Sequence, residues 1–282
     1  MNSVLNWADQ NAEVKPRFKA ARHFPATLGR FDDPSDREVI DGLVRWVEER
    51  YREDLLQRPS KHVYVQTLSG PVIEQIDRLS DGPLIRSLIA AQVPAGSVVA
   101  PMKHTDELYL SHYNKDRGGD QGLFDRHYDG NLRFLSGSVV VRALIYLQSD
   151  ATYKVVFHDS GVEKAFATYD FGLLDFHREL HWVEGQYNPA DRQRILLKCN
   201  YLVTPRGAAL LGQAALAANT GVFYVVKAAM EYSKSPRTLP QAAVGFLCNL
   251  FRRMNNLHPL VPLVFIAAIV VALGWAIASL LA

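Results

Sequence analysis

The sequence predicts a mainly β fold, either a sandwich or a jelly roll, with helices beside it and an apolar helix at the C-terminal end. Between about residues 97 and 204, short β-branched and aromatic segments alternate with Gly, Asp and Asn clusters. Apolar residues recur at helical spacing before this run, and an uncharged stretch closes the chain. We therefore expect an N-terminal helical support region over 1–96, a β core over 97–204, apolar helices over 205–256 and a membrane-spanning tail over 257–282.

Composition restricts the class of protein. The chain has 282 residues, of which 48% are hydrophobic and 21% charged, which suits one sizeable domain with an appendage and not a disordered chain. Its 31 Lys and Arg nearly balance 29 Asp and Glu, so no nucleic-acid partner is expected. The spacing of Cys199 and Cys248 fits neither a CxxC pair nor a zinc knuckle, which favours a reducing compartment.

Two helices are predicted in the N-terminal region. Asp33, Pro34 and Ser35 are typical of a helix start, and apolar residues follow at helical spacing. A second helix is predicted around residues 70–91, with a break near the Asp81–Gly82–Pro83 sequence. Both are expected to lie against one face of the β core.

Six segments are predicted as strands because they are short, apolar or alternating, and bounded by turn residues. They are SVVAPM, ELYLSHY, SVVVRALIYL, YKVVFH, FATYDFGLLDF and RILLKCNYLV.

The C-terminal part is apolar in two different ways. Residues 208–226 are Ala-rich, and we expect helices on the membrane surface or packed against the domain, with a first membrane span as the alternative. From Pro259 to Ala282 there is no ionisable side chain, and about 20 residues at ~1.5 Å each cross a bilayer core. A buried core helix is the alternative for this run.

The orientation of such a tail follows from the charges before it. Arg252 and Arg253 precede the uncharged run and are expected to stay on the cytosolic side. The first twenty residues contain acids and amides where a signal peptide needs an apolar stretch. The sequence thus predicts a single-pass, tail-anchored membrane protein with its β domain in the cytosol.

The chemistry is concentrated in DRHYDG. His127 and Asp129 are two residues apart, so in a strand both side chains point to the same side and can grip one ion. His181 follows fifty-two residues after Asp129. Two imidazoles and one carboxylate make the facial triad of non-haem ferrous oxygenases, which leaves open positions on the metal for a bidentate oxo-acid and dioxygen.

Other histidines compete for these places. His104 and Asp106 form a second HxD, but no Tyr-bearing strand precedes it, so His127 and Asp129 are preferred. His158 and His177 compete with His181, and both are interpreted as ordinary surface or core-edge histidines.

Two arginines begin the last predicted strand. Arg192 lies eleven residues after His181, and its guanidinium suits a carboxylate. Arg194 shares its face if the strand is regular, and is the alternative. Arg142 lies on the same face as Tyr146, and two roles are open for it. It could contact an anionic substrate, or its charged end could extend to solvent.

The order of these features resembles the Fe(II)/2-oxoglutarate-dependent dioxygenases, and among them the prolyl-hydroxylase-like branch. The shared features are a Tyr-ending strand before the HxD, a Tyr-Leu strand after it, a Val-Phe strand, a glycine before an apolar strand, the distal His and a basic residue. They fall on Tyr113, Tyr146, Val156–Phe157, Gly172, His181 and Arg192, and cover about residues 105–203. The resemblance implies a double-stranded β-helix, which is a jelly roll.

The resemblance also implies roles for single residues. His127, Asp129 and His181 would hold Fe(II), while Arg192 would pair with the distal carboxylate of 2-oxoglutarate, with Arg194 as its alternative. Tyr146 would donate a hydrogen bond to that carboxylate. Dioxygen is the second co-substrate, and ascorbate is a candidate supporting reductant.

Tyr113 is a further pocket candidate. Prolyl 4-hydroxylases usually place Lys where Arg192 stands, and a Gly-Gly pair before the Val-Phe strand is replaced here by ATYK. These departures do not favour peptidyl-proline.

The expected activity is hydroxylation of a C–H bond in a lipid or membrane-associated substrate. Within the same superfamily, prolyl or peptidyl hydroxylation and demethylation are the alternatives. An alternative of another class is a non-catalytic, membrane-tethered jelly-roll binding module.

Overall fold

A computed structural model describes residues 23–57, 60–112, 126–129, 139–184 and 193–205, with scattered positions between 207 and 246. The chain divides into two compact units, one formed by residues 22–130 and 137–220 and the other by 1–21, 131–136 and 221–282. In the second unit only positions 221, 224, 238–243 and 246 are described, and nearly all of them are helical. All elements below belong to the first unit.

Among the described residues between 23 and 205, three α-helices cover one side of the β structure. Helix α1 spans Pro34–Gln57, and the carboxylate of Asp33 accepts a hydrogen bond from the backbone N–H of Ser35 at 2.8 Å. The predicted second helix is two helices, α2 over Pro71–Ser80 and α3 over Pro83–Gln92, so the predicted break is confirmed. Proline is well suited to the first turn of a helix, where its missing N–H is not needed.

The described part of the chain also forms ten strands. In chain order they are β1 Thr27–Arg30, β2 Ser60–Tyr64, β3 Val98–Pro101, β4 Glu107–His112, β5 Val139–Gln148, β6 Asp150–Phe157, β7 Val162–Ala167, β8 Asp170–Asp175, β9 His181–Glu184 and β10 Gln193–Thr204.

The strands form two antiparallel sheets. The larger has the order β1-β8-β5-β10-β4-β2, with β3 also paired to β10, and the smaller has the order β7-β6-β9. His127 adds an isolated antiparallel bridge to His181 at the edge of the smaller sheet. Neighbours in the sheet come from distant parts of the chain, which is the connectivity of a jelly-roll-like fold.

Alternation along β5 separates two apolar cores. Val141, Ala143 and Ile145 point toward the helices and join the larger core. Leu144 and Tyr146 point the other way, into a second core that takes residues from both sheets. This period of two is what a sheet covered on both faces requires.

The structure contains strands that the sequence did not predict. β1 and β2 lie in the region expected to be helical, and both are edge strands of the larger sheet. Their sequences, TLGR and SKHVY, carry little apolar alternation, and backbone pairing with β8 and β4 defines them. The predicted strand FATYDFGLLDF covers the last two residues of β7 and all of β8, and the chain turns between them at Thr168 and Tyr169, where Tyr169 has φ of 74°.

Among the described residues no helix is both long enough and apolar enough to cross a bilayer. The predicted tail from Pro259 to Ala282 lies outside the described residues, and so does most of 208–226.

Candidate metal centre

His127, Asp129 and His181 come together at the edge of the smaller sheet. One ligand atom from each lies within 4.8 Å of the other two. The Nε2 atom of His127 is 3.6 Å from Oδ1 of Asp129, and the Nε2 atom of His181 is 3.5 Å from Oδ2. The structure therefore brings the three predicted ligands to one place.

Backbone pairing sets the distance between the two histidines. The N–H of His127 donates to the carbonyl of His181 and the N–H of His181 donates to the carbonyl of His127, each at 3.0 Å. The two imidazole ring centroids are 4.5 Å apart. Residues that exchange both hydrogen bonds across an antiparallel pair carry side chains on the same face of the sheet.

His181 presents one ring nitrogen to the site. Its Nδ1 atom lies 3.1 Å from the carbonyl oxygen of Glu179, which can only accept, so Nδ1 carries the proton and Nε2 keeps its lone pair. Burial lowers the pKa of His181 to about 4, so the ring is neutral at pH 7. Neutral imidazole with an available Nε2 is the form that binds a metal.

Asp129 is held ionised by its surroundings. Burial opposes ionisation, but the charge of Arg142 and a contact with His127 hold the pKa of Asp129 well below its usual range. Nη1 of Arg142 donates to Oδ2 of Asp129 at 2.8 Å. A carboxylate is therefore ready at neutral pH.

Two buried carboxylates shape the turn before His181. Asp175 accepts hydrogen bonds from the backbone N–H groups of His177 and Arg178, at 3.1 and 3.0 Å. Glu179 accepts from the backbone N–H groups of Asp159 and Ser160. These contacts fix the chain segment that carries His181, and no local pattern in the sequence indicates them.

Between the two sheets, Tyr146 of β5 lies in the second apolar core. Tyr146 is buried and stacks on Phe166, with ring centroids 4.3 Å apart and planes within 4°. A Cβ atom on Gly172 would lie 3.0 Å from Phe166, so a side chain there would press on this stack. Gly172, noted in the sequence, thus leaves room for the rings.

Arg194 is buried on the same face of β10 as Leu196, which pairs with Tyr146. Its Nε donates to the hydroxyl of Ser111 at 3.3 Å, and its guanidinium lies 5.8 Å from the ring centroid of Tyr109. Arg192 and Tyr113 lie outside the described residues, so their roles stay predictions.

A second charged group on this interior face was missed. Lys198 pairs with Glu107 at 3.0 Å, and His62 of β2 contacts the other oxygen of Glu107 at 3.0 Å. Burial opposes ionisation of Glu107, but Lys198 and His62 hold its pKa below the usual range. The sequence did contain a signal for this buried charge, namely a lysine within an apolar strand. Lys198 is two residues from both Leu196 and Asn200, so it shares their face of β10.

The competing histidines lie elsewhere among the described residues. The Nε2 atom of His104 contacts the hydroxyl of Thr220 at 2.8 Å, and Asp106 accepts from the backbone N–H of Asn200 at 3.0 Å. His177 is buried against Phe176, and His158 is exposed beside Asp159. None of them belongs to the three-residue cluster.

No protein-family model matches the sequence, and no curated protein matches it. Solved structures are similar to it at low identity. A non-haem α-ketoglutarate-dependent epimerase, SnoN, from nogalamycin biosynthesis is 14% identical, with a TM-score of 0.45 over 75% of this chain and 89% of that one. A prolyl-4-hydroxylase from Pseudomonas putida is 14% identical, with a TM-score of 0.39 over 70% and 98%.

A viral collagen prolyl hydroxylase from Paramecium bursaria Chlorella virus-1, in complex with 2-oxoglutarate, is 8% identical, with a TM-score of 0.42 over 67% of this chain and 99% of that one.

The donor set fits Fe(II). Two imidazole nitrogens and one carboxylate oxygen on one side of an ion are typical of non-haem ferrous sites with open positions. The proton on Nδ1 of His181 and the ionised Asp129 give the ligands the protonation states that metal binding requires.

Proposed function

We propose that this protein is an Fe(II)- and 2-oxoglutarate-dependent dioxygenase that hydroxylates a C–H bond of a lipid or membrane-associated substrate. The observation that carries the reaction class is the approach of His127, Asp129 and His181, with one ligand atom from each within 4.8 Å of the others. Two imidazoles with one carboxylate suit a ferrous ion that must keep positions open for reactants.

When bound, Fe(II) couples the oxidative decarboxylation of 2-oxoglutarate by dioxygen, which yields succinate and carbon dioxide, to oxidation of a substrate carbon. The protein's own residues hold and orient the reactants. Asp129 and the two histidines would hold the ion with three ligand atoms and so would leave other positions available to the oxo-acid and dioxygen. Arg142 and Glu179 hold the ligands in orientation through Asp129 and His181.

Two buried side chains between the sheets suit the distal end of 2-oxoglutarate. Arg194 supplies a buried cation on the interior face, and Tyr146 presents its ring on the neighbouring strand. We assign the distal carboxylate to Arg192 as the first partner by sequence, with Arg194 as its alternative. The surrounding core, which includes Leu144, Leu196 and Phe166, limits water in the pocket.

The substrate class rests on the C-terminal part of the chain. The uncharged run from Pro259 to Ala282 follows Arg252 and Arg253, and such a run favours a tail anchor. Among the described C-terminal positions, Leu210 and Leu239 are more than four-fifths exposed. Exposed apolar side chains in the sequence before that run favour a substrate in or on the bilayer.

Prolyl or peptidyl hydroxylation and demethylation are the alternatives within this reaction class. Two of the structural neighbours are prolyl hydroxylases by description, which keeps a peptide substrate among the candidates. A non-catalytic, membrane-tethered binding module is the alternative of another class, and it would not consume 2-oxoglutarate.

The test is succinate release from 2-oxoglutarate by the purified full chain with Fe(II), ascorbate and dioxygen. We expect release that requires Fe(II) and is lost in Asp129→Ala. Release equal to that of the Asp129→Ala variant would exclude the dioxygenase and favour the binding module. Assays with membrane lipid extracts and with proline-containing peptides then compare substrate classes, and formaldehyde release would identify demethylation.

A further inference from the structure

Arg142 occupies an unusual place for a charged side chain. It lies in the middle of β5, points into the space between the sheets and is only 9% exposed. Its Nη1 donates to Oδ2 of Asp129 at 2.8 Å, and its Nε donates to Oδ1 of Asn200 at 3.0 Å. The ring of Phe176 lies under the guanidinium, 4.2 Å from centroid to Cζ. A buried guanidinium with this many fixed contacts does not extend to solvent.

Asn200 is itself fixed, so it orients Arg142. Its Nδ2 donates to the hydroxyl of Thr105 at 2.9 Å, which leaves Oδ1 to face the arginine. Its backbone N–H donates to Oδ1 of Asp106 at 3.0 Å. Asn200 is also the residue opposite Arg142 in the β5–β10 register. The second HxD, which the sequence offered as a rival metal site, therefore supports the arginine's partner.

We propose that Arg142 is a positioning residue that holds the carboxylate of Asp129 for the metal, and that it does not bind an anionic substrate. This inference rests on the proposed function for the identity of the metal. The bond from Nη1 engages Oδ2, and the bond from Nε to Asn200 prevents the guanidinium from turning away. A carboxylate with one oxygen engaged in this way favours coordination through one oxygen and keeps the opposite positions open.

Two effects of Arg142 on metal affinity have opposite signs. Its charge repels a divalent cation, and removing it would tighten binding. Its hydrogen bond fixes the orientation of a ligand, and removing outer partners of metal ligands typically costs 10- to 100-fold in affinity or activity. Arg142 is held between Asp129 and Asn200, so we expect its effect on the orientation of Asp129 to be larger than its charge repulsion. Removing Arg142 should therefore weaken metal binding.

The test is Mn(II) affinity of the full chain, measured by electron paramagnetic resonance without 2-oxoglutarate. We expect Arg142→Met to weaken Mn(II) binding about 10- to 100-fold. Arg142→Lys, which keeps the charge but not the fork of donors, should recover part of the loss. Asn200→Ala keeps Arg142, the direct partner of Asp129, so it should lose less Mn(II) affinity than Arg142→Met.

The matched control is Arg30→Met, which breaks a comparably short ion pair with Asp170 at 2.6 Å outside the metal site. It should leave Mn(II) affinity within about twofold. Circular dichroism and thermal unfolding show whether each variant is folded. If Arg142→Met does not fold, Arg142→Lys and Asn200→Ala test the proposal in its place. Both variants must then weaken Mn(II) binding for the proposal to hold.

Unchanged or tighter Mn(II) binding in the folded variants would overturn the proposal, and a rise in the KM for substrate alone would identify a substrate contact. The outcome is separate from that of the proposed function. A protein that binds Mn(II) but releases no succinate refutes the dioxygenase and still tests the role of Arg142.

Discussion

The ring of His181 and the backbone of Glu179 form one hydrogen bond, 3.1 Å long, in which Nδ1–H donates to the carbonyl oxygen. The same glutamate is completely buried, and its carboxylate accepts hydrogen bonds from Asp159, Ser160 and His23. One residue therefore sets the tautomer of the distal histidine through its backbone and fixes the adjoining turn through its side chain.

Glu179→Ala should lower the free energy of unfolding by about 3 kcal/mol, because several buried donors lose their acceptor at about 1 kcal/mol or more each. Urea denaturation measures this. The control is Glu163→Ala, which removes an exposed ion pair with Lys154 and should change stability by less than about 1 kcal/mol. Equal effects of the two variants would show that the turn does not depend on Glu179.

His127→Ala, Asp129→Ala and His181→Ala should each abolish 2-oxoglutarate turnover, because each removes one of three metal ligands. His104→Ala should keep most of the turnover, since His104 contacts Thr220 and lies outside the cluster. Succinate release and Mn(II) binding measure both effects. His177→Ala should likewise retain activity, corrected for the folded fraction, because His177 is buried. Loss of turnover in a folded His104 variant would reverse the assignment.

Substitution of the arginine that binds the distal carboxylate should raise the KM for 2-oxoglutarate far more than the KM for the primary substrate. A hydrogen bond to a charged group is worth about 1.5–3 kcal/mol, which corresponds to about 10- to 100-fold. Arg192→Ala is expected to show this effect. If Arg194→Ala shows it instead, the buried Arg194 beside Tyr109 is the partner and the two roles exchange.

Asp106→Asn should flatten the pH dependence of stability. Burial raises the pKa of Asp106 from 3.8 to about 7, so the folded state binds a proton that the unfolded state releases. This contribution is fully present below about pH 4 and is lost as pH rises through about 7. As pH rises from about 4 to about 7, wild type should therefore lose unfolding free energy relative to Asp106→Asn. Urea denaturation at several pH values measures this difference. A constant difference would contradict the raised pKa.

Truncation after Arg253 should weaken membrane attachment and leave the fold intact, because the described β structure ends at Thr204. Uncoupled 2-oxoglutarate turnover should persist, while turnover of a membrane substrate should fall as the local enzyme concentration falls. Cell fractionation and succinate assays compare the two forms. If folded truncated protein stays wholly in the membrane pellet, residues 208–251 already attach it.

The sequence was informative wherever the signal is local. Alternation in SVVVRALIYL and RILLKCNYLV predicted β5 and β10, and helical spacing with Pro83 predicted the two-part second helix. β1 and β2 were missed because short edge strands are defined by their pairing with β8 and β4, which neither segment encodes alone.

The same division holds for the site. The HxD motif and its distance to His181 selected the three residues that the structure places together, because the residue types and their order are written in the chain. The tautomer of His181, the ionisation of Asp129 and the engagement of Arg142 were decided by the tertiary structure. Each depends on contacts across strands whose register is fixed by simultaneous burial of both cores, and no local pattern specifies that register.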